Sequence, residues 1–139
     1  MSHGLFIEKV TIFTFAILIL AICTGCSKGS YQHISAEEAA QIMASEKNYI
    51  IVDVRTQEEY DKKHIPGAVL VPIDEIKKGN LSALPDKNQT LLIYCWTGRR
   101  AEDSAVLLAE LGYKNIYEFG GLVSWTGELE GEEIDNSEN

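Results

Sequence analysis

Blocks of β-branched and aromatic residues alternate along the chain with blocks in which apolar residues recur at helical spacing. The first kind predicts buried strands and the second predicts helices. Two helices are marked by capping boxes, at residues 35–38 and at residues 56–59. The predicted elements are, in chain order, a helix from Ser35 to about Ser45, a strand over Tyr49–Val54, a helix from Thr56 to about Lys62, a turn at Ile65–Gly67, a strand over Val69–Val71, a helix from Pro72 through Ile76, a strand over Thr90–Tyr94, a helix ended by Gly112, a strand over Ile116–Phe119, a turn at Gly120–Gly121 and a brief helix over Leu122–Trp125.

Strands that alternate with helices predict an α/β fold. We expect a central, mostly parallel sheet flanked by helices on both faces. The length of 139 residues fits one domain. We assign residues 1–25 to a signal peptide or membrane anchor, 26–33 to a linker and 34–131 to the folded domain. Residues 132–139 form an acidic tail, and fraying is expected from Glu130 onward.

The segment Val10–Ile22 is apolar but shorter than the ~20 residues of a comfortable membrane span. It suits the apolar region of a secretory signal. The small residues before Cys26 resemble a bacterial lipoprotein cleavage box, which would make Cys26 the lipidated first residue of the mature chain. The alternative is an uncleaved anchor helix reaching Thr24. Both interpretations place the domain outside the cytoplasm, tethered to a bacterial membrane in the cell envelope or periplasm.

The net charge of −9 argues against a nucleic-acid partner, because phosphate binding needs a basic face. Much of the acidic excess lies in residues 128–138, so it says little about the active surface. The three cysteines, Cys23, Cys26 and Cys95, are too few for a disulfide framework and have no zinc-site spacing. We expect neither a metal nor a cofactor.

Cys95 follows a predicted strand at its carboxyl end, where parallel sheets bind ligands. Residues 95–100, Cys-Trp-Thr-Gly-Arg-Arg, form what we call the Cys95 loop. Gly98 lets the backbone curl so that N–H groups converge on the sulfur. The dipole of the following helix and the charges of Arg99 and Arg100 also stabilise a thiolate. A merely structural cysteine needs neither a glycine turn nor two arginines, so Cys95 is the predicted nucleophile.

The Cys95 loop resembles the Cys-x-x-Gly-x-Arg/Thr loop of single-domain rhodaneses. Further resemblance extends over about Ile34 to Gly131, in segments that follow the family's order. These segments are Val52–Arg55 with Glu58-Glu59-Tyr60, His64–Ala68, and Gly120-Gly121 with Trp125.

The resemblance implies a rhodanese-like fold and a sulfur-transfer reaction without a cofactor. The Cys95 thiolate would take the outer sulfur of a donor such as thiosulfate, and cyanide or a thiol would remove it from the persulfide. The resemblance also implies that the loop N–H groups stabilise the persulfide anion. Arg100 would hold the loop and the donor charge, and Arg99 would attract an anionic donor.

Loop length separates rhodaneses from phosphatases and arsenate reductases of similar fold, which have one more residue between cysteine and arginine. The shorter loop here suits sulfur. Trp96 stands where many rhodaneses carry Arg, which should weaken attraction for small dianions. Trp96 either favours an organic persulfide or a protein thiol, or simply folds over the loop.

The remaining motif residues have structural interpretations. Asp53 and Arg55 are expected to form a polar pair or to anchor neighbouring loops. His64 is interpreted as structural, Trp125 as packed against the domain, and the glutamates of both capping boxes as helix-start residues. Besides a catalytic sulfurtransferase, two functions stay open. One is a tethered persulfide carrier or binding module, and the other is a redox sensor in which Cys95 forms a sulfenic acid.

Overall fold

The computed structural model of the chain describes residues 29–132, and its helices and strands follow the predicted alternation. The elements are β1 (Tyr31–His33), α1 (Ala36–Ser45), β2 (Tyr49–Asp53), α2 (Gln57–Lys62), β3 (Val69–Leu70), α3 (Ile73–Lys78), β4 (Thr90–Cys95), α4 (Arg99–Glu110), β5 (Asn115–Gly121) and a 3₁₀ helix (Leu122–Ser124). The predictions for the signal or anchor, Cys23, Cys26 and the acidic tail from residue 133 lie outside the described residues.

One sheet holds the five strands in the order β1-β5-β4-β2-β3. Each pair of neighbouring strands is parallel, so the predicted α/β fold with a parallel sheet is confirmed. Strand β4 lies in the middle, between β5 and β2. Cys95, the last residue of β4, therefore lies in the middle of the row formed by the carboxyl ends of the strands.

Alternate residues of the central strands point to opposite faces of the sheet, as the pleat requires. On one face, Val52, Leu91 and Ile93 pack under α3 and α4. On the other face, Leu92 and Tyr94 pack with residues of α1. Helices cover both faces, which explains why β4 is almost uniformly apolar in sequence.

Both predicted capping boxes are present. The Ser35 hydroxyl accepts a hydrogen bond from the Glu38 N–H, and the Glu38 carboxylate accepts one from the Ser35 N–H. Thr56 and Glu59 form the same reciprocal pair at the start of α2. Each cap satisfies backbone donors that would otherwise lack partners, which stabilises the helix by about 1 kcal/mol.

Three expectations need correction. The predicted linker over residues 26–33 contains β1, which pairs with β5 through Tyr31–His33. The predicted turn at Gly120–Gly121 is the end of β5. Glu130 is not frayed, because its backbone exchanges two hydrogen bonds with His64, of 2.7 and 2.9 Å.

Over residues 29–132, no helix combines the length and apolar character needed to cross a membrane.

Candidate active site

Cys95 is the last residue of β4, and its side chain is only 1% exposed. The Gly98 N–H donates a hydrogen bond to the Cys95 Sγ at 3.0 Å. Gly98 is also the N-cap of the twelve-residue helix α4, so the sulfur lies beside the positive end of a helix dipole. Both features favour negative charge on sulfur. The loop sequence predicted several converging N–H groups, and among the described residues the Gly98 N–H is the one backbone donor to the sulfur.

The tight turn of the Cys95 loop depends on glycine at position 98. Gly98 has a φ of 110°, in the left-handed region that side chains with a Cβ rarely adopt. A Cβ there would also lie 3.2 Å from the Gly120 Cα. The loop is therefore pressed against the end of β5, and the backbone of Gly120 occupies the space next to Gly98 that a side chain would need.

An irregularity in the pairing of β4 with β5 shapes this edge of the site. Ile93 pairs with Glu118, but Cys95 pairs with Gly121, so β5 carries one extra residue between the two pairs. Such bulges occur next to active sites, where they redirect the chain. Here the bulge brings Gly121 against the carbonyl group of Trp96, and a Cβ on Gly121 would lie 2.1 Å from that oxygen.

Gly121→Ala is expected to displace the Cys95 loop and to lower the free energy of unfolding by about 1–3 kcal/mol, because the clash is with backbone that cannot rotate away. Urea denaturation and the rate of the sulfur transfer that the resemblance of the Cys95 loop implies measure the two effects. Gly79→Ala is the matched control, since Gly79 has a φ of 79° and no atom lies within 4 Å of an added Cβ. The control should lose some stability and keep its activity. A fully active Gly121→Ala protein would contradict this role.

Arg100 is held by Glu59 in a two-pronged ion pair. The guanidinium Nη1 and Nη2 each donate to one carboxylate oxygen at 2.7 Å. The hydrogen bonds to Glu59 raise the pKa of Arg100, and the sulfur of Cys95 acts in the same direction. Glu59 thus joins the start of α2 to the Cys95 loop and fixes a cation beside the sulfur. Its interpretation as a helix-start residue was correct but incomplete.

Hydrogen bonds from Arg100 lower the pKa of Glu59 from 4.5 to about 2. Because the folded-state pKa is the lower one, the pair contributes stability above pH 4.5, and this is lost as the pH falls towards 2. Both side chains are one-third exposed, so the contribution is only about 1 kcal/mol. Glu59→Gln should therefore be less stable than wild type at pH 7 in urea denaturation.

The difference between Glu59→Gln and wild type should shrink below pH 4.5 and vanish near pH 2. Glu58→Gln is the matched control at the neighbouring position, where the partner is the exposed Lys62. If the free energy of unfolding of Glu59→Gln stayed below that of wild type by a constant amount down to pH 2, ionised Glu59 would not be the source of this stability.

Asp53 and Arg55 form the predicted polar pair at the end of β2. Asp53 is 0% and Arg55 2% exposed, and Arg55 Nη2 donates to Asp53 Oδ2 at 2.7 Å. Burial lowers the pKa of Arg55, but the hydrogen bonds and charge of Asp53 outweigh it and the pKa is raised. Burial and the contact with Asp53 raise the pKa of Tyr94. Arg55 also donates to the Lys63 carbonyl at 2.6 Å, which anchors the chain after α2.

The other residues of the Cys95 loop lie at its rim. Trp96 is 38% exposed, and the Lys63 ammonium lies 4.9 Å from the centre of its ring. Thr97 and Arg99 are exposed and line a separate cavity on the other side of the loop, with Tyr31 and His33 of β1. Trp96 is therefore a partly exposed side chain at the rim, in contact with Lys63.

Glu118 is a buried acid that the sequence analysis did not single out. One oxygen of its carboxylate accepts a hydrogen bond from the Gly120 N–H at 3.1 Å, and the other contacts His33 Nδ1. Glu118 thereby holds the bulged end of β5 against which Gly98 packs. The sequence does contain a sign of this role, because Glu118 is a carboxylate within the otherwise apolar predicted strand Ile116–Phe119.

The structural interpretations of His64 and Trp125 agree with their contacts. The His64 ring stacks on Tyr60 at 3.7 Å between centroids, and its Nδ1 contacts the Tyr60 carbonyl oxygen. The Trp125 ring lies 5.8 Å from that of Phe119. Both side chains thus make packing contacts with neighbouring rings of the domain.

Comparison with known proteins agrees with this geometry. Residues 35–128 match the rhodanese-like domain family. The chain is 39% identical over 71 residues to the thiosulfate sulfurtransferase PspE of Escherichia coli (strain K12), covering 51% of this chain and 68% of that protein. It is 37% identical over 102 residues to the putative sulfur carrier protein YrkF of Bacillus subtilis (strain 168), covering 73% of this chain and 54% of that protein.

A crystal structure of a rhodanese-like domain protein from Staphylococcus aureus superposes with a TM-score of 0.64. The two proteins are 33% identical, and the match covers 73% of this chain and 98% of the other. The chain therefore belongs to the rhodanese-like family. Its relatives include proteins named thiosulfate sulfurtransferases, so the family predicted from the motifs is confirmed.

Proposed function

We propose that the domain is a sulfurtransferase that moves sulfane sulfur from a donor to a thiophilic acceptor as a Cys95 persulfide. The observation that carries the proposal is the hydrogen bond of 3.0 Å from the Gly98 N–H to the Cys95 Sγ, at the start of α4. A thiolate in that position is stabilised without a general base. The relative named thiosulfate sulfurtransferase supports the same reaction.

In the first step, the Cys95 thiolate attacks the outer sulfur of thiosulfate. A new sulfur–sulfur bond forms, the bond within the donor breaks, and sulfite leaves with the electron pair. In the second step, cyanide or a thiolate attacks the outer sulfur of the persulfide and regenerates the Cys95 thiolate. The Gly98 N–H and the positive end of α4 stabilise the negative charge that sulfur carries between the steps, and Arg100, paired with Glu59, adds to this effect.

The test is thiocyanate formation from thiosulfate and cyanide by the purified, folded protein. Sulfur transfer through a covalent enzyme predicts ping-pong kinetics, with parallel lines in double-reciprocal plots at varied acceptor. A folded protein that forms no thiocyanate and takes up no sulfur from thiosulfate or any organic persulfide is not a sulfurtransferase.

A persulfide carrier is the second candidate, and the exposed Trp96 at the rim favours it because an aromatic side chain suits contact with a partner protein. The similarity to a putative sulfur carrier protein points the same way. A carrier would accept sulfur from a protein persulfide much faster than from thiosulfate. Comparing the two loading rates on one preparation decides between carrier and enzyme.

We also propose that Cys26 is lipidated and tethers the domain to a bacterial membrane outside the cytoplasm. The support is the apolar run Val10–Ile22 followed by small residues and a cysteine. Metabolic labelling with a fatty acid should mark the wild-type protein and leave Cys26→Ala unlabelled. Continued labelling of Cys26→Ala would refute the lipoprotein assignment, and an unlabelled wild type in the membrane fraction would favour the uncleaved anchor.

A further inference from the structure

A cavity of about 300 Å³ adjoins the Cys95 loop on the side of α2. It shares Trp96 with the loop, and it shares Glu59 with the ion pair that holds Arg100. The residues that line it are Arg55, Glu59, Lys62, Lys63 and Trp96. Pockets for organic ligands start at roughly this volume, and thiosulfate would fill only a small part of it.

Most charges around this cavity are already neutralised inside the protein. The pairs are Arg55 with Asp53, Glu59 with Arg100 and Lys62 with Glu58. Lys63 differs, because it forms no ion pair with a carboxylate anywhere in residues 29–132. The cavity therefore carries one unpaired positive charge, although the whole chain has a net charge of −9.

Lys63 is exposed, and its ammonium lies against an aromatic ring. It lies 4.9 Å from the centre of the Trp96 ring, within the range of a cation–π contact. The backbone carbonyl of Lys63 accepts the hydrogen bond of 2.6 Å from the buried Arg55 side chain. An apolar wall and a single unpaired cation thus lie side by side at the rim of the Cys95 loop.

We propose that this cavity binds the organic part of a small persulfide donor that carries a carboxylate, with Lys63 as the residue that determines specificity. The inference rests on the proposed sulfurtransferase function and names its donor class. In this pose the carboxylate pairs with Lys63 and the carbon chain lies along Trp96. The terminal sulfur reaches past Trp96 towards Cys95, which lies next to this cavity without lining it. A single unpaired cation beside an aromatic wall matches one carboxylate on an apolar stem, and matches the compact dianion thiosulfate poorly.

The transfer step is balanced without an external oxidant or reductant. The Cys95 thiolate attacks the outer sulfur of the donor R–S–SH and forms a new sulfur–sulfur bond. The bond between the two donor sulfurs breaks, and its electron pair leaves with the thiolate R–S⁻. The donor's proton stays on the transferred sulfur, which becomes the outer S–H of the Cys95 persulfide, and that sulfur keeps its oxidation state.

The test compares three donors: 3-mercaptopropionate persulfide, its neutral methyl ester, and thiosulfate. The full chain is assayed with cyanide as acceptor, as wild type, Lys63→Gln and Trp96→Ala. We expect wild type to prefer the acid to the ester in kcat/KM by roughly five- to tenfold. Lys63→Gln should abolish that preference by raising KM for the acid while leaving kcat unchanged, since the contact is made equally before and during the reaction.

The other variants and donors separate the role of Lys63 in donor specificity from a general loss of activity. Trp96→Ala should raise KM for the acid and the ester alike. Lys77→Gln, which removes a lysine that pairs with Asp74 on α3, is the matched control and should keep the wild-type preference. The inference is overturned if the acid is not preferred, if Lys63→Gln keeps the preference, or if Lys63→Gln weakens thiosulfate as much as the acid. If no donor at all loads Cys95, the proposed function itself fails.

Discussion

Cys95→Ser is expected to lower the rate of thiocyanate formation by at least about a thousandfold. The reason is chemical, because a serine hydroxyl is not ionised near neutral pH and forms no persulfide. The side chain is 1% exposed and accepts the Gly98 N–H, and a serine oxygen can accept the same hydrogen bond. The free energy of unfolding should therefore change by only about 1 kcal/mol, measured by urea denaturation.

Lys77→Gln, which changes an exposed lysine of α3 that pairs with Asp74, is the control for Cys95→Ser and should leave the transfer rate unchanged. If Cys95→Ser were folded and kept a substantial part of the wild-type rate, Cys95 would not be the sulfur-carrying residue. Loss of activity together with loss of folding would be resolved by Cys95→Ala, which also lacks the thiol and fits the same apolar surroundings.

Asp53→Asn is expected to lower the free energy of unfolding by about 3–5 kcal/mol. The substitution leaves the Arg55 guanidinium buried without its counter-charge. The loss arises from this uncompensated charge rather than from the small change in shape. Thermal and urea denaturation at neutral pH measure it.

Asp74→Asn is the matched control for Asp53→Asn, because Asp74 pairs with Lys77 on the surface, where both side chains are more than half exposed. Exposed ion pairs contribute little to the free energy of unfolding, so the stability of Asp74→Asn should stay within experimental error of that of wild type. Equal effects at the two positions would mean that burial of the Asp53–Arg55 pair is not what makes it important.

Features encoded by neighbouring residues were predictable from the sequence. The capping boxes of α1 and α2 place their partners three residues apart, and the apolar run of β4 identifies a central strand. Cys95 could be singled out because a strand end, Gly98 and two arginines follow one another directly. In each case the interacting residues lie within a few positions of one another, so a short stretch of sequence contains all of them.

Features that depend on distant partners were not predictable in the same way. Glu59 and Arg100 are 41 positions apart, and the role of Glu59 in the capping box already explained its presence. Strand β1 is three residues long and exists only through its pairing with β5. Consecutive glycines favour a turn, but Gly120 and Gly121 instead serve the close approach of β5 to the Cys95 loop, which only the folded chain creates.

The most direct measurement is the intact mass of the protein after incubation with a sulfur donor. Sulfur transfer through Cys95 predicts that wild type gains the mass of one sulfur atom, loses it on addition of cyanide, and shows no gain in Cys95→Ser. A folded wild-type protein that gains no sulfur from thiosulfate or from an organic persulfide, or a Cys95→Ser variant that gains it as wild type does, would contradict the proposal.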